Sequence, residues 1–188
     1  MIVFPRSEDV VMIRQHDHAF VSGELAKKWR EQYFQGEERK DDVIFAIYEH
    51  DRGWIDLDEV PVINDKTGVP YSFEDYPLPV KLKFYSQGID EVEEANRYAA
   101  LLCSMHYMSF FAGERHNPRC LRFLREESGR QRKLTQELGL VSPKQLEHLQ
   151  FHYLMLKFCD NVSLYICLNE PGVKKEAEFI WFRHGFAD

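Results

Sequence analysis

Apolar residues recur at three- and four-residue steps along most of the chain, which is the spacing of one buried face of an α-helix. This pattern predicts five helices, the fourth of them broken near Gly129, over residues 17–34, 41–51, 89–111, 118–139 and 142–168. Two β-prone segments precede the helices, and a loosely alternating tail is predicted to pair with them; these stretches span residues 1–4, 10–13 and 176–186. The sequence therefore predicts a mainly α protein with a small β element built from its N- and C-terminal segments.

Residues 53–88 interrupt the helical pattern. They are rich in proline, glycine, aspartate and aromatic residues, so the sequence predicts one long ordered loop there. Loops of that length are uncommon in compact domains unless they form a lid or a binding surface. The chain has 188 residues, the length of a single domain, and we expect one domain over residues 1–188 with a helical core at 14–168.

Charge and hydropathy indicate which kinds of partner the protein binds. The formal net charge of −7 disfavours binding to a nucleic-acid polymer, because such binding requires a basic surface. No apolar run reaches the roughly 18 residues that a membrane span needs, and the first residues lack the basic and apolar regions of a signal peptide. We therefore expect a cytoplasmic protein without a membrane partner. The four cysteines form no CxxC pair, so neither a disulfide framework nor a cysteine-based zinc site is predicted.

Three of the predicted helices carry metal-ligand side chains on their apolar faces. His18 shares the apolar face of the first helix, and His50, with Asp51 beside it, falls on that of the second. Asp160 lies mid-helix on the buried stripe of the last helix, where an ionised carboxylate is costly unless it is paired or bound to a metal. Together these four groups predict a site for a divalent metal ion such as Mn²⁺, Fe²⁺, Zn²⁺ or Mg²⁺.

Helical phase also indicates whether two other histidines, His16 and His106, face inward. His16 shares its helix face with Lys27, so it is a poorer inward candidate than His18. His106 lies on the inward stripe of the third helix, seven residues after Ala99. A single inward histidine is more often a core residue than a ligand, so His106 alone does not predict a site.

An early helical histidine, a His-Asp pair about thirty residues later and a late helical aspartate form an ordered set that resembles the signature of the HD superfamily. The chain is also similar to an uncharacterised bacterial family of HD-like proteins in QHDHA (residues 15–19), SG (22–23), HDRGW (50–54), TGVP (67–70) and Phe73. The resemblance covers most of the chain. It implies an HD-domain-like helical bundle in which His18, His50, Asp51 and Asp160 are the metal ligands.

The resemblance implies a metal-dependent phosphohydrolase that acts on a small phosphorylated substrate, such as a nucleotide, by metal-activated water. Asp51 and His106 are then the catalytic candidates. Arg52 and Arg130 each offer a guanidinium fork that suits a phosphate. Gln15 would orient a ligand or a water, and Trp54 would either line the binding pocket or anchor the predicted loop to the core. The candidates for substrate binding are therefore Arg52, Arg130, Gln15 and Trp54.

Two alternative functions stay open. An HD-type di-iron oxygenase would require more histidine ligands in the middle of the chain than this sequence offers. A non-catalytic, metal-stabilised ligand-binding module would use the same metal ligands without any turnover. Self-association into a homo-oligomer stays open as well, because nothing in the sequence decides it.

Overall fold

A computed structural model of the protein describes residues 1–6 and 8–186. The chain opens with an antiparallel hairpin of two strands, β1 (Ile2–Pro5) and β2 (Val10–Ile13). The helices that follow, in chain order, are α1 (Gln15–Lys27), α2 (Lys40–Glu49), α3 (Ile55–Glu59), α4 (Leu78–Ala95), α5 (Arg97–Ser109), α6 (Pro118–Glu137) and α7 (Pro143–Leu168). The predictions of a mainly helical protein and of a short N-terminal β pair are confirmed.

Local sequence determines where the later helices begin. The Ser142 hydroxyl accepts a hydrogen bond from the backbone N–H of Gln145, whose side chain accepts from the Ser142 N–H in return, so a capping box precedes α7. Asn117 caps α6 by accepting from the N–H of Arg119. The predicted break at Gly129 is wrong, because buried residues on both sides of it outweigh the cost of about 1 kcal/mol that a helical glycine carries.

The predicted loop at 53–88 is wrong at both of its ends. Its first residues form α3 and its last residues form the first half of α4, which leaves residues 60–77 irregular. Pro79 sits in the first turn of α4, where a missing backbone N–H costs no hydrogen bond. At the other end of α4, Asn96 leaves the helical conformation (φ −155°, ψ 111°) and caps α5 by accepting from the N–H of Ala99. The predicted helix at 89–111 is therefore two helices.

Two further differences from the prediction have packing causes. The first helix is shorter than predicted, and the apolar periodicity beyond it comes from Trp29 and Phe34, whose rings both pack edge-on against Phe151 of α7. The tail forms two 3₁₀ turns and, within the described residues, pairs with no strand, so that prediction is wrong. Side chains make the contact instead: Phe182 shares an apolar cluster with Ile2 of β1.

The central helix is α5, which packs against α2, α4, α6 and α7 and buries most of its residues. In turn, α1 packs against α2 and α7. These contacts bring the inward faces of α1, α2, α5 and α7 to one region of the core. Over the described residues, none of the helices is both long enough and apolar enough to cross a membrane.

The turn that follows α2 lies directly on α4. A Cβ atom added to Gly88 would lie 2.4 Å from the backbone nitrogen of Gly53, and one added to Gly53 would lie 2.4 Å from the carbonyl oxygen of Phe84. Both approaches are between backbones, so a larger residue at either glycine would force the two segments apart. This contact holds the chain immediately after His50 and Asp51 against α4.

Candidate metal centre

Four helices bring five of the predicted site residues into one buried cluster. His18 comes from α1, His50 and Asp51 come directly after the last residue of α2, His106 comes from α5 and Asp160 from the middle of α7. Each exposes between 0% and 8% of its surface. Residues up to 142 positions apart in the chain therefore meet, and they include all four predicted metal ligands and the predicted catalytic histidine.

Four ligand atoms in this cluster form a ring in which imidazole nitrogens and carboxylate oxygens alternate. His18 Nε2 lies 3.0 Å from Asp51 Oδ2 and 3.5 Å from Asp160 Oδ1. His50 Nε2 lies 3.8 Å from Asp51 Oδ2 and 3.4 Å from Asp160 Oδ1. Neighbouring ligands of an ion with bonds of about 2.0–2.2 Å lie about 2.8–3.6 Å apart at octahedral or tetrahedral angles. The ring matches that spacing to within a few tenths of an ångström.

The charges in the ring depend on one another. Burial lowers the pKa of His50, but the carboxylates of Asp51 and Asp160 outweigh this effect and raise it to about 9. Burial raises the pKa of both carboxyl groups, yet the surrounding imidazoles hold each pKa below its usual value. The two aspartates are therefore ionised, and their negative charge is offset within the ring either by a proton on an imidazole or by a bound cation.

His50 directs one ring nitrogen at the two carboxylates. Its Nδ1–H donates to the carbonyl oxygen of Ile47 at 2.7 Å, so its Nε2 carries the lone pair when the ring is neutral. That Nε2 is buried and makes no hydrogen bond of good geometry to any residue in the described part of the chain. A lone pair facing two carboxylates is repulsive unless a proton or a metal ion lies between them. A histidine held by a backbone carbonyl through its other nitrogen is also the usual arrangement of a metal ligand.

His18 is oriented by a serine pair. Its Nδ1 contacts the Oγ of Ser163 on α7, and Ser163 Oγ donates to the carbonyl oxygen of Asp160 at 3.1 Å. Ser163 Oγ is therefore able to accept from His18 Nδ1–H, which leaves His18 Nε2 directed at the ring. Ser22 Oγ, 2.8 Å from Ser163 Oγ, completes the network within the core. The serines thus set the tautomer and the angle of one ligand ring.

Replacing Ser163 with alanine is expected to weaken metal binding about 10- to 100-fold, because it removes the partner that orients His18 without removing a ligand. Titration of the metal-free protein with Zn²⁺ or Mn²⁺ measures this affinity. Ser128→Ala is the matched control, since among the described residues the Ser128 hydroxyl donates to the carbonyl oxygen of Leu124 on its own helix and to no other group. Equal affinities for the Ser163→Ala variant and the wild type would contradict the orienting role.

His106 lies beside the ring, with its Nε2 3.8 Å from Asp160 Oδ2, whereas His18 and His50 approach the other carboxylate oxygen, Oδ1. Burial, the largest influence, lowers the pKa of His106 to about 4, so its imidazole is neutral. Its Nδ1 is buried without a hydrogen-bond partner among the described residues. His106 is thus placed to bind an ion or a ligand beside Asp160, or to exchange a proton there.

The side chains could hold a metal ion in two overlapping groups, His18–His50–Asp51 and His50–His106–Asp160. His50 belongs to both groups, and its single free lone pair is on Nε2. One lone pair binds one ion, so both groups cannot be filled at once with His50 as a ligand in each. The geometry of the described residues therefore suits one ion better than two.

A cavity of about 530 Å³ opens beside the ring. Four members of the cluster, His18, Asp51, His106 and Asp160, are on its wall. The predicted substrate-binding residues Gln15 and Trp54 also line it, as does a set of further aromatic side chains: Phe73, Tyr85, Phe110, Phe111 and Trp181. Gln15 is 3% exposed, and its Oε1 has no hydrogen-bond partner in the described part of the chain, so it is available to a ligand.

The two predicted phosphate-binding arginines lie elsewhere. Neither Arg52 nor Arg130 is among the described residues that line this cavity. Arg52 pairs with Glu91 at 2.8 Å and with Glu49 at 3.3 Å. Arg130 pairs with Glu127 at 3.0 Å and with two acidic residues of α4. Their guanidinium forks are therefore occupied by carboxylates of the protein itself, and the structure does not bring them to the site.

Two lysines on the cavity wall were missed by the sequence reasoning. Lys157 lies three residues before Asp160, so its position one helical turn from a predicted ligand was a usable signal. Lys81 is not identified from sequence because the composition around it predicts a loop, whereas the structure places it in α4. The prolines at 77 and 79 mark the start of a helix there, and that signal would have placed Lys81 on the first turns of α4.

The comparison with known sequences places the whole chain in a single family. A family model described as protein of unknown function (DUF3891) matches residues 1–187. None of the curated proteins and none of the solved structures matches the chain. Because the family match spans nearly every residue, from the N-terminal hairpin through all the helices that build the cluster, this protein belongs to the DUF3891 family.

Proposed function

We propose that the protein binds one divalent metal ion through His18, His50, Asp51 and Asp160 and uses it to hydrolyse a small phosphorylated substrate. One observation carries the proposal: three members of the ring, His18, Asp51 and Asp160, line a cavity of about 530 Å³, and His50 lies 3.4 Å from Asp160 in the same ring. Pockets of about 300–1,000 Å³ are typical of sites for small organic molecules. A buried, charged ligand set and a space for a substrate therefore share one surface.

The fit of a metal ion rests on the orphaned Nε2 of His50 and on the spacing of the ring. Mixed imidazole and carboxylate donors suit Zn²⁺, Fe²⁺ or Mn²⁺. A bound divalent ion in such a site supplies Lewis acidity, which lowers the pKa of a water molecule and neutralises charge on a phosphoryl oxygen. The resemblance of the ligand order to the HD superfamily supports hydrolysis of a phosphoric ester as the reaction.

The chain's own residues supply the remaining chemistry. Asp51 is ionised and lies on the cavity wall, where it can accept a hydrogen bond from a water molecule and orient it. His106 is neutral beside Asp160, so its imidazole can take up a proton from water or return one to a departing oxygen. Gln15 offers an unpaired amide oxygen to a hydroxyl or amino group of the substrate. Trp54 adds apolar surface that excludes water.

The two alternative functions differ in what the site must hold. A di-iron oxygenase requires two ions, and the single free lone pair of His50 favours one. A non-catalytic binding module requires the same ion and cavity without turnover. Turnover is therefore the property that separates the proposed hydrolase from the binding module.

The direct test is hydrolysis of p-nitrophenyl phosphate and bis(p-nitrophenyl) phosphate by the Mn²⁺-loaded protein. Asp51→Ala is expected to abolish release of nitrophenol. His106→Gln is expected to lower kcat by about 100-fold or more while the metal content stays at the wild-type level, because the proton-transfer group is lost and the ring is kept. His148→Gln on α7, outside the cavity-lining set, serves as the control and is expected to keep full activity. Full activity of the Asp51→Ala variant would rule out the proposed reaction.

A further inference from the structure

We infer that Lys81 and Lys157 bind the anionic group of the substrate and that the aromatic wall beside them selects a substrate with a flat, apolar body. The inference rests on the proposed function in that it assigns the ligand class of the same cavity. The two lysines that would bind the anion are not among the residues of the HD signature. The ligand class is an organic phosphate or phosphonate whose other half is aromatic or similarly flat and apolar.

The first argument is that both lysines lack an ion-pair partner. Among the described residues, no carboxylate oxygen lies within 4.0 Å of the ammonium group of Lys81 or Lys157, although the chain carries a formal net charge of −7. By contrast, Arg52 and Arg130 are each held by two or more acidic side chains. In an acidic protein, two unpaired cations on one cavity wall favour an anionic ligand.

Lys81 is fixed in place and incompletely compensated. Its Nζ donates to the carbonyl oxygen of Phe73 at 2.9 Å and to that of Glu74 at 3.3 Å. An ammonium group has three N–H donors, so one remains for a ligand. Burial is the largest influence on the pKa of Lys81 and lowers it, although the carboxylates of Asp75 and Glu74 act in the opposite direction. Glu74, which also lines the cavity, meets Lys81 through its backbone carbonyl and not through a carboxylate contact.

Lys157 links the lysine pair to the metal centre. It is half-buried on α7, one helical turn before Asp160, so the two side chains lie on neighbouring turns of one helix and both line the cavity. Its Nζ lies 5.8 Å from the centre of the Tyr153 ring, a weak contact that leaves its N–H groups available. An anion bound by Lys157 would therefore lie on the side of the cavity that carries the ring.

Much of the remaining cavity wall is aromatic. Phe73 and Trp181 pack edge-to-face with their ring centres 5.8 Å apart, which joins the irregular segment before α4 to the C-terminal tail on the cavity wall. Phe110 packs in the same way on His106, at 4.8 Å. Inorganic phosphate would contact the two lysines but leave the apolar surface exposed to water. A ligand with a flat apolar group would bury that surface as well. The two halves of the wall thus suit the two halves of one amphiphilic ligand.

Isothermal titration of the full, Zn²⁺-loaded chain with 1-naphthylphosphonate tests the inference, because this probe has no ester bond to hydrolyse. Lys81→Met and Lys157→Met are each expected to lower the affinity about tenfold or more, since a charge-assisted hydrogen bond is lost. Lys144→Met, an exposed lysine on α7 outside the cavity-lining set, is the matched control and is expected to bind like the wild type. Methylphosphonate is expected to bind at least tenfold more weakly than the naphthyl probe.

Metal content and melting temperature of each variant show whether the fold and the ring are intact. If the Lys81→Met protein does not fold, the Lys157→Met protein still provides the test. The Lys157 side chain is only half-buried, so its replacement is expected to leave the fold intact. Wild-type affinity in the lysine variants, equal affinity for the two phosphonates, or no phosphonate binding at all would overturn the inference. If the protein binds the phosphonate through these lysines but hydrolyses no phosphate ester, the inferred ligand class is supported. Only the proposed hydrolase activity is then contradicted.

Discussion

Replacing His18 with alanine is expected to lower the affinity for Zn²⁺ or Mn²⁺ by more than 100-fold, whereas replacing His16 with alanine is expected to leave it unchanged. His18 contributes one of the four ring atoms and lies within 3.5 Å of both carboxylates of the ring. Losing a ligand costs more than losing a residue that only orients one, for which about 10- to 100-fold is typical. His16 lies two residues away on the same helix, is half-buried and belongs to neither ligand group.

The measurement is elemental analysis of the purified variants, followed by titration of the metal-free proteins with each ion. Circular dichroism of the metal-free variants reports whether both keep the helical fold, so a loss of metal can be separated from a loss of structure. Stoichiometric, wild-type binding by His18→Ala would refute the ring as a metal site. An equal loss in both variants would show that the effect comes from α1 and not from the ligand.

Replacing Arg130 with methionine is expected to lower the free energy of unfolding by about 3–5 kcal/mol, the usual cost of leaving a buried charge without its partner. Glu127, on the same helix, is 2% exposed and depends on Arg130 and on the hydroxyl of Ser104. Arg130 also pairs with Asp90 and Glu93 of α4, so it ties α6 to α4. This role is structural, in contrast to the phosphate binding that the sequence suggested.

Urea denaturation measures the effect. Arg132 is an exposed arginine on the same helix, and it forms no ion pair with the described residues. The Arg132→Ala variant should therefore change the free energy of unfolding by no more than about 0.5 kcal/mol. Phosphonate affinity, measured under conditions where the Arg130→Met protein is still folded, should equal that of the wild type. A variant as stable as the wild type but impaired in phosphonate binding would return Arg130 to the substrate site.

Much of the fold and part of the site follow from local patterns. The 3.6-residue period placed His18 and Asp160 on inward faces, and Ser142 followed by a proline located the start of α7, because both signals depend on neighbours within one or two turns. The same period wrongly extended the first helix to include Trp29 and Phe34. These residues are apolar because they pack on α7, not because they continue a helix. The start of α4 was missed for a different reason: overall proline and aspartate content does not separate a helix start from a loop, whereas the positions of Pro77 and Pro79 do.

The sequence by itself determined that the chain is mainly helical, that it begins with a β hairpin, and that His18, His50, Asp51 and Asp160 face inward. Only the tertiary structure decided that these groups form a ring, that His106 adjoins it, and that the cavity cations are Lys81 and Lys157 in place of the two arginines. The physical reason is that helical phase depends on residues a few positions apart. The convergence of α1, α2, α5 and α7, and the choice of which carboxylates neutralise an arginine, depend on contacts between residues far apart in the chain.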